Sequence, residues 1–256
     1  MEIIYLYTLI GLIGGVTAGM LGLGGGIIFV PGLMLVHKHY NYFVGYELQA
    51  AVFTSLICIV FAGSTSAYLH YRNGLINSQI IKKFSFYVFF GCFFGIYILE
   101  NVSTELLEKA YSIILIILAL LLISDARIIK NNVNVIQKIG NLYFFSNGVV
   151  SSLMGIGGGT LSVPYLAFII GNIKKSIATA SAVGLVIALS SIIFMYFLNS
   201  DIYIEKINHL SLFAIIPGSI IGSYSGVYLL KILNHDKVKN IFSILLLAVA
   251  VYLLFD

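Results

Sequence analysis

The sequence predicts an all-α integral membrane protein built as an inverted repeat, each half a glycine-broken re-entrant hairpin followed by three transmembrane helices. Three observations carry that expectation. The chain of 256 residues is 60% hydrophobic and only 9% charged, with a mean hydropathy of +1.03. Its apolar stretches come in lengths suited to a lipid bilayer. One unusual phrase is written twice: GLGGGIIFVPGL from Gly22 to Leu33 and GIGGGTLSVPYL from Gly155 to Leu166, 133 positions later.

Composition alone sets the class. Soluble domains carry about 25% charged residues, and a soluble fold of this length cannot hide so much apolar surface. No basic run or stripe supports nucleic-acid binding. The opening MEIIYLYTLI lacks a positive n-region, so no cleaved signal peptide is expected. Cys58 and Cys92 sit in apolar runs and read as small hydrophobes, not as a disulfide.

A lipid-crossing helix needs about 20 apolar residues. Six segments fit one crossing each: 48–70, 84–99, 106–124, 176–198, 209–230 and 239–255. Residues 3–36 and 139–170 do not. Both are too long for one helix and too short for two crossings with a turn, and each has the glycine phrase near its middle. The halves are then 1–124 and 139–256, joined by the polar linker 125–138.

Charge placement chooses between one tilted crossing and a hairpin for these two segments. With single crossings the Lys and Arg residues divide evenly and no orientation is preferred. With hairpins only Lys38, Lys109 and Lys206 fall on one side and the other eleven basic residues on the opposite side. The cytoplasmic face carries such an excess. The hairpin reading therefore follows, with both termini outside and the loops 71–83, 125–138, 171–175 and 231–238 in the cytoplasm of a cell bounded by this inner membrane. Three crossings per half is an odd number, so the second half is inverted. Further correspondences agree: Gly15 with Gly148 and Pro31 with Pro164, then AVFTSL (Ala51–Leu56) with ATASAV (Ala178–Val183), and Gly91 and Gly95 with Gly218 and Gly222.

Inverted repeats with interrupted helices in matching positions point to a binding site near the midplane. Glycine lets the backbone turn tightly and approach a ligand. After each turn a helix begins, and its first N–H groups have no intrahelical partner and carry the positive end of the dipole. Two such N-termini make an anion site without a charged side chain. The candidate binding residues are Gly24, Gly25, Gly26, Gly157, Gly158 and Gly159, with hydroxyls from Thr54, Ser55, Thr160 and Ser181. Thr179, Ser151, Ser152 and Gln49 are further donors within reach of the same regions. Gly91/Gly95 and Gly218/Gly222/Gly226 read instead as helix-packing positions.

Other chemistries are poorly supported. Neither turn completes a nucleotide-binding G-x-G-x-x-G, since Ile27 and Thr160 stand where the last glycine belongs. The middle of the spans holds no Asp, Glu, Lys or Arg, which argues against a carboxylate proton relay. No cofactor or bound metal is expected, although HKHY (His37–Tyr40) leaves a metal-ion permease open as one alternative and an anion channel of the same fold as another. A serine hydrolase would need a base beside its nucleophile, and His70 and His209 lie near span ends. The partners expected are a small anion and membrane lipid; a homodimer is compatible with the sequence.

GLGGGIIFVP and GIGGGTLSVP together resemble the paired signature of the sulfite exporter TauE/SafE family of small bacterial membrane proteins. The resemblance covers nearly the whole chain in length, span layout and division into halves. It implies transport of sulfur-containing oxyanions or organosulfonates, such as sulfite, thiosulfate, sulfoacetate or taurine. The family is usually described as eight-spanning, whereas the count here is six full crossings and two broken hairpins.

Overall fold

The computed structural model describes residues 2–123, 139–205 and 209–232, together with Leu247 and Val251. The linker 125–138 and the expected span 239–255, apart from those two residues, lie outside the described residues. Among the described residues the chain is helical between short turns. The helices are α1 (Glu2–Leu21), α2 (Gly26–His39), α3 (Glu47–Arg72), α4 (Ser78–Asn101), α5 (Thr104–Ile123), α6 (Gly140–Met154), α7 (Gly159–Ile170), α8 (Ile173–Glu205) and α9 (His209–Ile232).

Apolar residues on all sides of these helices account for the architecture, because only a helix satisfies its own backbone in lipid. Five are long and apolar enough to cross a membrane: Glu2–Leu21, Glu47–Arg72, Ser78–Asn101, Ile173–Leu198 and Ser211–Leu230. Large apolar side chains cover the outside, with Phe213 82%, Phe197 78% and Phe86 65% exposed. In water such a surface would drive aggregation; in a bilayer it is the lipid-facing wall. The chain is a multi-pass integral membrane protein.

The helices overrun several expected spans. At 1.5 Å per residue, α3 with 26 residues is about 39 Å long and α8 with 33 residues about 50 Å, against a hydrocarbon core of roughly 30 Å. The hydropathy of the sequence marks the part that lipid surrounds, whereas local capping sets where the coil stops. Asn77 accepts from the N–H groups of Gln79 and Ile80 and starts α4 well before residue 84. Asn172 accepts from the N–H of Lys175 at the start of α8.

Both glycine-broken segments fold back on themselves. In the first, the space beside Gly14 on α1 is filled by the Phe29 ring of α2, and Gly32 lies against Ile10. In the second, Tyr143 stacks on Tyr165 with ring centroids 4.3 Å apart, and Asn147 bonds Ser162. Pairing early with late residues is the mark of antiparallel arms. The arms are unequal: α1 has 20 residues, while α2, α6 and α7 have 14, 15 and 12. Only α1 is itself of crossing length. Its extra turns have a partner to cover them, described next.

The halves exchange arms. Helix α1 runs parallel to α9, with Gly11, Gly15 and Gly19 set on the backbone of Ile215, Ser219 and Ser223, and Gly222 and Gly226 set on that of Leu12 and Val16. Helix α6 runs parallel to α4 in the same manner: Gly91 and Gly95 lie on the backbone of Phe145 and Val149, and a Cβ on Gly148 would come 2.5 Å from Val88 O. Small residues allow this approach where lipid offers no hydrophobic drive for helices to associate. The glycines read from sequence as packing positions do pack helices.

The loops sort to two ends. The 40–46 turn adjoins the α4–α5 junction, where Thr104 Oγ1 donates to Gly45 O at 2.7 Å and Lys38 pairs with Glu108 at 3.3 Å. The α3–α4 turn adjoins the start of α8, where Asn77 N–H donates to Thr179 Oγ1 at 3.1 Å. Arg72, Lys82, Lys83, Lys174 and Lys175 gather toward this second end, at the terminus of α3 and the starts of α4 and α8.

Candidate functional site

The site begins with two chain reversals. In each, a glycine in the left-handed region caps the second arm: Gly25 with φ 82° before α2 and Gly158 with φ 67° before α7. A side chain there would be strained. Neither helix start has a side-chain cap, so its free N–H groups and positive dipole end sit inside the protein.

The two reversals meet. A Cβ on Gly26 would overlap Gly155 O, and one on Gly159 would overlap Gly22 O. At the centre Gly24 faces Gly157, with a Cβ on Gly24 reaching Gly157 Cα at 3.1 Å. Since Gly155, Gly157 and Gly159 stand 133 positions after Gly22, Gly24 and Gly26, the contacts are reciprocal, as at an interface around a two-fold axis. The turns touch backbone to backbone, so the junction is closed in this structure. Gly157 rests on Ile59, midway along α3, and Gly158 on Ile187 of α8.

The candidate hydroxyls differ in their roles. Ser55 Oγ donates to Gly155 O at 2.7 Å, a strut from α3 of one half to the reversal of the other. Thr54 is buried beside it in sequence. Ser181 Oγ donates to Ala178 O of its own helix at 2.8 Å, and Thr179 Oγ1 to Lys175 O. Ser152 reaches Val149 O at 3.1 Å and Cys92 O at 3.4 Å. Gln49 is bonded to Thr104 at the loop end of α3, away from the reversals. Thr160 is different: it is 4% exposed and its Oγ1 has no hydrogen-bond partner among the described residues.

Two residues that the sequence reading passed over complete the second reversal. Asn147 Nδ2 donates to Ser162 Oγ at 2.7 Å and to Gly158 O at 3.4 Å, while its Oδ1 accepts from Ser151 Oγ at 2.7 Å. All three side chains are buried. An asparagine in the middle of an apolar arm was the available signal. His37 is buried near Glu47 O, whereas His39, two residues on, is exposed against Tyr40. Residues two apart do not share a helix face, so the two rings do not converge on one ion. Cys58 and Cys92 are both free and buried.

A polytopic helical membrane protein whose broken helices meet backbone to backbone level with the middle of α3 defines the class. Comparison with known proteins narrows it: the model of the Sulfite exporter TauE/SafE family matches residues 7–253, and the chain belongs to that family. Among its relatives is the "Probable membrane transporter protein YunE" of Bacillus subtilis (strain 168), 26% identical over 274 residues covering 96% of both chains. A "Probable membrane transporter protein" of Haemophilus influenzae is 27% identical over 191 residues, 73% of this chain and 71% of that one. The "Probable membrane transporter protein MJ0441" of Methanocaldococcus jannaschii is 26% identical over 235 residues, covering 89% and 84%. No solved structure gives a significant match.

Proposed function

We propose that this protein is a carrier that moves a small sulfur-containing anion, of the sulfite, thiosulfate or organosulfonate class, across the cytoplasmic membrane by alternating access. The observation that supports it most is the reciprocal contact of the two glycine reversals level with the middle of α3. The halves act as inverted repeats, and the anion is held by backbone N–H groups of the two GxGGG turns when these part. Fixed dipoles stabilise the anion without a buried cation. Opening on one side and then the other exposes the same groups to each compartment. Both termini lie outside, because the end carrying Arg72, Lys82, Lys83, Lys174 and Lys175 suits the cytoplasmic face. The names of the relatives, probable membrane transporter proteins, support transport, and the family's description as a sulfite exporter supports the sulfur chemistry.

The test is flux of radiolabelled sulfite, thiosulfate and methanesulfonate in vesicles containing the purified protein. A carrier gives saturable uptake that is accelerated by unlabelled substrate on the opposite side. Flux that rises linearly with concentration and shows no such exchange would mean a channel, and no flux of any sulfur anion would overturn the reading.

A further inference from the structure

The two reversals match in backbone but not in the side chains around them. At the offset of 133, Asn147 corresponds to Gly14, Ser151 to Ala18, Thr160 to Ile27 and Ser162 to Phe29. In the first hairpin the fully buried Phe29 ring fills the space beside Gly14 and also lies against Gly25. In the second, the same region holds the Asn147–Ser151–Ser162 hydrogen-bond cluster, and Asn147 reaches the carbonyl of the capping Gly158. One reversal is thus stoppered with an aromatic ring and the other is lined with donors.

Most of those donors are committed to one another. Thr160 Oγ1 stands on another face of α7 from Ser162, since residues two apart do not share one, and is buried without a partner among the described residues, on the second residue of the twelve-residue α7. A helical Cα–Cβ bond tilts toward the N-terminus, so this hydroxyl leans toward the same end that carries the free N–H groups. A buried hydroxyl with nothing to bond is costly, and a ligand oxygen would satisfy it.

The lining also limits charge. Thr160, the backbone at the start of α7 and the Asn147 side chain that bonds Gly158 O are all neutral. The cost of taking an ion out of water grows with the square of its charge, so a dianion costs about four times as much as a monoanion of the same size. Neutral donors and a helix end equivalent to roughly half a charge compensate the single charge far better than the double.

We propose that, of the two turns that flank the carried anion, the second supplies its side-chain donor, Thr160 Oγ1 at the start of α7, and that the site selects singly charged oxyanions such as sulfonates over doubly charged ones. This rests on the anion-carrier reading and narrows its substrate class. Methanesulfonate and sulfate test it, being close in shape but different in charge. Thermal unfolding of the purified protein is followed against each anion at fixed ionic strength. Methanesulfonate should raise the midpoint at concentrations at least tenfold below those that sulfate needs. Thr160→Val should shift the methanesulfonate response about tenfold to higher concentration, the loss of one charge-assisted hydrogen bond. Thr160→Ser should respond like the wild type, and Ile27→Val should not alter the response. Equal responses to the two anions in the wild type would overturn the charge selection, and this arm needs no variant to fold. An unchanged response in Thr160→Val would overturn the assignment to the second reversal while leaving an anion site in place. No response to any anion by the folded wild type would remove both this inference and the reading beneath it.

Discussion

Gly24 and Gly157 stand face to face where the two hairpins meet, each the other's counterpart in the repeat: a Cβ on either would lie 3.1 to 3.3 Å from the Cα of the other. Around it Gly26 lies on Gly155 and Gly159 on Gly22, so crowding at any one of these positions pushes two backbones apart.

Gly159→Ala tests the approach separately from backbone strain. Gly159 is helical, so alanine there costs crowding without strain, against the Gly22 carbonyl and Leu23 Cα. Gly171 has φ 68° with nothing within 4 Å of a Cβ, so Gly171→Ala costs strain alone, about 1 kcal/mol. Thermal unfolding in detergent should show Gly159→Ala as the more damaging by about 2 kcal/mol or more. Equal losses would mean that the reversals are not tightly opposed.

The two serines of the candidate site should separate in the same assay. Ser55→Ala leaves the buried Gly155 O without its donor and should cost about 1–3 kcal/mol. Ser181→Ala removes only a bond to its own helix and should stay within about 0.5 kcal/mol.

Asn147→Ala removes the group that joins Ser151, Ser162 and Gly158 O. Ser151 and Ser162 lose a buried partner while Gly158 O keeps the Ser162 N–H, so a stability loss of about 2–4 kcal/mol is expected. If Asn147 shapes the anion site, transport KM for the anion should rise several-fold in the protein that remains folded.

Topology is open to labelling, because the native Cys58 and Cys92 are buried. Gly45→Cys and Gly171→Cys both fall on turns with no atom within 4 Å of the added Cβ. The hairpin topology places them on opposite sides: an impermeant maleimide added to intact cells should label residue 45 and reach residue 171 only after permeabilisation. Single tilted crossings would put both on one side.

His39→Ala should leave transport unchanged, since the ring is exposed against Tyr40. His37→Ala should lower stability, because the ring is buried and packs 4.8 Å from Phe43. Loss of transport in both variants, with rescue by a divalent metal, would favour the permease.

Membrane class, the breaks at the two glycine phrases and the packing glycines were legible in the chain itself. Each depends on a local property: residue hydropathy over a bilayer's thickness, the helix-breaking cost of GLGGG and GIGGG, and the spacing of Gly91/Gly95 and Gly218/Gly222/Gly226. What tertiary structure decided is non-local. Whether the reversals touch, and that α1 packs on α9 while α6 packs on α4, depends on which helices lie side by side, and hydropathy is nearly the same for all of them. The fate of each hydroxyl is likewise a matter of neighbours. Ser55 and Ser181 look alike in sequence, yet one bridges the halves and the other bonds its own helix. Asn147 and Phe29 acquire their contrasting roles only once the arms fold back, because a side chain's work in lipid is set by what the backbone brings within hydrogen-bond reach.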